Sequence, residues 1–258
     1  MTQILAIANQ KGGVGKTTTT VNLAASLAAV KRKVLLVDLD PQGNATMGSG
    51  LDKNELPYSV YDVLLGDASI NVAVQSTPKA GYDVLGANRE LSGAEIGLLD
   101  MENRETRLKE ALAGLTRKYD FILIDCAPSL SLLTLNALVA ATGVIIPMQC
   151  EYYALEGLAD LTNTIERMTA RLNPALKIRG ILRTMFDPRN TLANDVSAEL
   201  LKHFGNLVFE TAIPRNVRLA EAPAHGLPVM YYDKGSRGAF AYLTLAAELL
   251  KKDKKRKT

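Results

Sequence analysis

The chain has 258 residues, nearly half of them apolar and only 5% aromatic, a length that suits one sizeable α/β domain with an ample core. Six of its 30 basic residues and one of its 27 acidic residues fall in 251–258, so residues 1–250 sum to −2 and the total of +3 excludes a globally basic fold. A polyanion must therefore be met by a local patch or by the basic tail. Two cysteines, Cys126 and Cys150, are too few for a disulfide framework and point to a reduced compartment. No apolar run approaches the roughly 18–20 residues that cross a bilayer. The expectation is a soluble, cytoplasmic protein with no membrane partner.

In chain order, residues 3–9 read as a strand apolar on both faces. A glycine-rich turn leads into a helix over 17–30, where Val21, Leu23, Ala24, Leu27 and Ala28 fall on helical spacing. Residues 33–38 predict a second buried strand, and 48–77 an irregular surface excursion with one short helix near 60–65. Further strands are expected at 82–85, 121–125, 143–148, 178–184 and 208–213. Helices are expected at 104–118, 132–141, 153–172, 192–204 and 238–252. This alternation predicts an α/β fold, a mainly parallel sheet with helices on both faces, in one domain over 1–250 followed by the tail 251–258.

Residues 11–18 read KGGVGKTT. The usual phosphate-loop pattern puts its first glycine six residues before the Gly-Lys-Thr end, but that glycine would fall at Gln10, so the loop is a deviant P-loop. Gly12, Gly13 and Gly15 let successive N–H groups converge into an anion nest, with Val14 between them and the helix dipole behind. Lys16 is placed to reach the β- and γ-phosphates of ATP and Thr17 to ligate Mg²⁺. Asp125 ends the apolar strand FILID, where a carboxylate would hold a magnesium-bound water, and Asp38 and Asp40 end KVLLVDLD. Any one strand-end aspartate is more simply a turn or cap residue; three beside a phosphate loop favour chemistry. Lys11 is a second loop lysine. It is either a solvated side chain or a cation that neutralises phosphate across a dimer, as an arginine finger does.

Five blocks, KGGVGKTT (11–18), LLVDLDPQGNAT (35–46), ILIDCAPS (122–129), PMQCEYYALEG (147–157) and IPRNVRLAEAP (213–223), together resemble the ParA/Soj chromosome-partitioning ATPases. The resemblance runs from about residue 2 to 250. It implies an ATP-dependent sandwich homodimer, with Lys11 contacting the partner's nucleotide, Gly12 permitting close approach of the two chains, and Asp40 required for hydrolysis. By the same resemblance residues 11–18, Thr18 included, bind the nucleotide, Pro214 and Asn216 contact adenine, and Arg189 and Arg218 contact DNA. It further implies nonspecific double-stranded DNA as matrix, a ParB-like centromere-binding protein that stimulates hydrolysis, and association with the nucleoid. The first strand begins at Gln3, so the N-terminal helix-turn-helix extension of many plasmid relatives is not expected.

Two rivals share the loop. A MinD-like membrane-cycling ATPase needs a C-terminal amphipathic helix with a bulky apolar face, whereas Leu249 and Leu250 are followed only by charge. An iron–sulfur protein needs exposed loop cysteines, whereas Cys126 and Cys150 sit in apolar runs and read as buried small hydrophobes. Asn136 is a candidate sensor of a partner subunit. Tyr152 and Tyr153 read as packing residues at a strand-to-helix junction, with base stacking as the alternative. His203 and His225 receive no role.

Overall fold

The computed structural model describes residues 2–255. Seven strands form one sheet: β1 (Gln3–Ile7), β2 (Val34–Leu39), β3 (Gln75–Thr77), β4 (Tyr82–Leu85), β5 (Phe121–Cys126), β6 (Gly143–Gln149) and β7 (Ile178–Thr184). Their order is β3-β4-β2-β5-β1-β6-β7, parallel throughout except for the short edge pair β3–β4. Every residue of β2 and β5 is buried, because helices cover both faces of a parallel sheet.

On one face the helix Lys16–Ala29 packs against the final helix Arg237–Lys255, and Leu23, Leu27, Tyr242, Leu245 and Leu249 share one cluster with Leu36 and Leu123 of the sheet. On the other, Val60–Leu65, Leu91–Leu99, Arg107–Ala113 and Leu132–Ala140 close over Val37, Ile124 and Ile146. Burying such side chains is worth about 1.5–3 kcal/mol each, and it is this burial that makes the two layers one cooperative body. The short helix Val60–Leu65 appears where expected, held by a capping box between Ser59 and Asp62.

Three expectations are corrected. Residues 208–213 are not a strand: they touch β7 at isolated bridges, Ile181 to Val208 and Phe186 to Pro214. The Glu248 carboxylate takes the N–H groups of Glu210 and Thr211, which would otherwise continue a ladder. The helix expected over 104–118 is only Arg107–Ala113, after Asn103 takes a left-handed turn at φ 57°. Conversely, Leu91–Leu99 is a helix that its two internal glycines concealed. The final helix runs on to Lys255, so the first part of the expected tail is helical, while residues 256–258 lie outside the described residues.

Candidate nucleotide site

The phosphate loop leaves the carboxyl end of β1 and is fastened to both neighbouring strands on that side. Asn9 donates from Nδ2 to the Pro147 carbonyl at 2.7 Å and accepts from the Lys11 amide at 3.0 Å, tying the start of the loop to β6. Thr184, at the end of β7, donates its hydroxyl to the Val14 carbonyl at 2.8 Å, and the Val14 side chain is buried beneath the loop. Gly13 (φ 73°) and Gly15 (φ 85°) occupy the left-handed region that side-chain-bearing residues avoid, which is why those positions are glycine. Gly15 brings no capping side chain to the helix Lys16–Ala29, so the amides of the first turn stay directed at the loop. This is a cradle built for an anion.

Lys16 is 7% exposed, and its ammonium donates to the Lys11 carbonyl at 3.0 Å with no ion pair among the described residues. Burial pulls its pKa below the usual lysine range against the opposing fields of Asp125, Cys126 and Asp40. A desolvated cation inside a ring of amide donors fits an incoming phosphate as its counter-charge.

Asp125 is fully buried at the end of β5 and accepts from the Thr17 hydroxyl at 2.7 Å and the Thr20 hydroxyl at 2.8 Å. Asp38 stands opposite it on β2, also fully buried, and accepts from the Thr46 amide (2.9 Å), the Thr46 hydroxyl (2.8 Å) and the Asp40 amide (3.1 Å). Burial raises both carboxyls, and for Asp125 the charge of Asp38 adds to it. No group of three or more His, Cys, Asp or Glu side chains is arranged to hold a metal among the described residues. Thr17 beside Asp125 instead fits magnesium, which keeps several waters and takes phosphate oxygens as further ligands. Asp40 is half-buried, with Oδ1 accepting from the Gln42 amide at 2.9 Å.

Pro214 and Asn216 line a cavity of about 350 Å³ together with Gly15, Thr18, Thr184 and Met185. Asn216 caps the helix Val217–Glu221 by accepting from the Arg218 amide at 3.1 Å. Thr184, Met185 and Tyr242 of this cavity are unmarked in the sequence. Met185 carries the one available signal, a φ of 49° unusual for a residue with a side chain, and only coordinates reveal it.

On the open side, the Lys11 ammonium lies 2.5 Å from Glu151 at the end of β6, each side chain about half exposed. Glu151 is a site residue that sequence reasoning passed over. A Cβ added to Gly12 meets nothing within 4 Å, so the space above the loop is clear. Tyr152 and Tyr153 stack edge to face at 5.0 Å but are 74% and 72% exposed, so the packing expected of them is absent: the turn that follows Glu151 carries both rings outward. Arg189 is 88% exposed with both guanidinium edges on Asp187 (2.9 and 2.7 Å). Arg218 pairs with Glu221 at 2.8 Å and Asp233 at 3.2 Å. Neither arginine joins the loop site. Asn136 is no subunit sensor: it is fully buried, bonding the Arg104 and Leu132 carbonyls and the Leu108 amide to fix one helix against the next. Both cysteines are buried, their thiols pushed up by desolvation.

A family model described as an AAA domain matches residues 2–178. The sporulation initiation inhibitor protein Soj of Bacillus subtilis is 53% identical over 96% of this chain and 98% of its own, and the chromosome partitioning protein ParA of Myxococcus xanthus 52% over 97% and 89%. A solved structure named cobyrinic acid a,c-diamide synthase from Mycobacterium smegmatis, with bound ADP and magnesium, superposes with a TM-score of 0.86 at 43% identity, covering 98% of this chain and 96% of that one. Full-length identity above 50% to Soj and ParA, on a fold whose phosphate loop, strand-end aspartates and parallel sheet all agree, means that this chain belongs to the ParA/Soj family of P-loop ATPases.

Proposed function

We propose that this protein is a chromosome- or plasmid-partitioning ATPase that binds Mg·ATP, closes face to face on a second copy, holds duplex DNA without sequence preference and lets go when a ParB-like partner stimulates hydrolysis. One observation carries the reading: a desolvated Lys16 inside a glycine cradle, abutting Thr17 hydrogen-bonded to a buried Asp125. When bound, Mg·ATP supplies the electrophilic γ-phosphorus and the metal charge.

The residues divide the remaining work. Loop amides of 12–18 and Lys16 bind phosphate oxygens, and Thr17 with Asp125 holds the metal and its water. Asp40 is tethered through one oxygen to the Gln42 amide, and we assign its other oxygen to orienting the attacking water. Pro214 and Asn216 flank adenine; Asn216 spends Oδ1 on its helix cap and keeps its amide donors for the base. Lys11 leaves Glu151 and reaches the nucleotide of the second copy. Charge neutralisation in trans of this kind is worth about 10³–10⁵ in rate when an arginine does it.

Arg189 and Arg218 are assigned to DNA phosphates, for which their forked donors are suited. Each is already paired with carboxylates, so DNA must displace Asp187 from one and Glu221 and Asp233 from the other. The MinD-like alternative is disfavoured because the apolar face of the final helix, Tyr242, Leu245 and Leu249, is spent on the core. No helix of the described residues is long and apolar enough to cross a membrane.

The test is duplex binding and light scattering with ATP, ADP and no nucleotide. ATP alone should give a dimer that binds DNA and leaves the nucleoid fraction of a lysate on hydrolysis. Equal behaviour in all three states would sink the proposal.

A further inference from the structure

All six parallel strands start at the pole opposite the phosphate loop, and the segments feeding them are rich in cations. Lys31, Arg32 and Lys33 lead into β2, Arg117 and Lys118 into β5, and Lys177 into β7, all of them exposed. They are neighbours in space. Arg32, Lys33 and Arg117 line one cavity of about 220 Å³, and Arg117 and Lys118 line a second that continues past Thr142 to Ala175, beside Lys177.

The acids of this pole are turned inward. Asp83 is buried between Arg117 (2.6 Å) and the Tyr119 hydroxyl (2.7 Å), Asp120 accepts the Lys33 amide at 2.9 Å, and Asp253 is held by Gln3 and Arg179. Lys31, Arg32, Lys33, Lys118 and Lys177 have no ion pair among the described residues, in contrast to Arg189 and Arg218. The charge count requires any basic surface to be local, and this is where the fold concentrates it. Lys251 of the final helix extends it, pointing the end of the chain away from the nucleotide face.

We propose that this amino-terminal pole is a second nucleic-acid surface, which grips the phosphate backbone whether or not ATP is bound. From β2 to β7 are four strand spacings, roughly 19 Å at about 4.8 Å each, matching about six phosphates along one strand of a duplex. A linear rim of unpaired lysines and arginines suits a linear polyanion. A lipid surface is the weaker fit: the exposed apolar side chains of this pole, Val30 and Leu172, stand on separate loops with no amphipathic helix to insert. The inference goes beyond the proposed function in one respect that rests on it. If two copies close at their phosphate loops, their basic poles face outward at opposite ends, and one dimer holds two separate DNA segments.

The test is the triple substitution Arg32→Gln, Lys118→Gln and Lys177→Gln, which leaves Arg117 on Asp83 and touches nothing in the nucleotide site. Wild-type protein without nucleotide should bind a duplex of about 20 base pairs at low salt. The variant should bind about tenfold or more weakly, with a log–log salt slope shallower by about 3, and keep its thermal midpoint and its DNA-free ATP turnover. In a measurement that needs no variant, duplex should protect Lys33, Lys118 and Lys177 of the wild type from acetylation. Absence of nucleotide-free binding, an unchanged variant, or protection by anionic phosphatidylglycerol vesicles in place of DNA would each overturn the inference. Loss of the ATP-dependent component in Arg189→Glu with this basal binding intact would leave it standing and bear on the proposed function alone.

Discussion

The two ends of the same six strands handle charge in opposite ways. At the carboxyl ends, Asp38, Asp125 and Lys16 are taken out of water and fixed by Thr46, Thr17, Thr20 and a backbone carbonyl. At the amino ends, lysines and arginines stand in solvent with few fixed partners. Buried charge interacts strongly and in one geometry, so each residue of the first end should be individually indispensable. Exposed charge is screened and works by number, so single changes at the second end should be mild.

The sharpest way to break this contrast is Asp40→Ala. Turnover should fall about 10²–10⁴-fold, the range of a lost proton-handling or water-orienting group, while ATP-dependent dimers persist in light scattering. Near-normal turnover would remove Asp40 from the chemistry. Lys16→Ala should weaken nucleotide binding by about 10–100-fold in calorimetry, the equivalent of one charge-assisted hydrogen bond in a dry site. An affinity within a factor of two of wild type would show that the amide cradle suffices alone.

Gly12→Val separates the loop from the assembly. Its Cβ meets nothing within the chain, so the thermal midpoint should stay put while the ATP-dependent dimer disappears. A surviving dimer would contradict face-to-face closure over this loop.

Asp125→Asn tests the cost of concentrating carboxylates. Both Asp38 and Asp125 have folded pKa values raised above their unfolded ones, by burial first, so the folded state binds the extra protons. Their stabilising contribution is complete below the ordinary aspartate range and is lost as pH rises through the raised values. Without magnesium, wild-type stability should therefore fall between about pH 4 and 8, and Asp125→Asn should flatten that fall and gain about 1 kcal/mol or more at pH 8. A stability curve with the same slope in both proteins would mean the pair is relieved by water. The mildest change is Glu151→Gln. Its ion pair with Lys11 is half exposed and worth about 1 kcal/mol at most, so ATP-dependent dimerisation should tighten no more than about fivefold.

Local sequence determined the phosphate loop, the buried strands and the strand-end aspartates, because glycine-enforced backbone geometry and two-sided apolar runs are set within a few residues. It also carried the family, since Soj- and ParA-like blocks are contiguous segments. Tertiary structure decided what depends on distant partners. Residues 208–213 had a strand's composition but lost their ladder to Glu248, some 38 residues away. Asn136 and Tyr152 exchanged the burial expected of them because packing direction, not residue type, sets exposure. Thr184, Met185 and Glu151 entered the site only because β6 and β7 end beside β1. The basic pole was hidden for the same reason. Its cations are scattered in sequence, and a parallel sheet gathers the starts of its strands at one end.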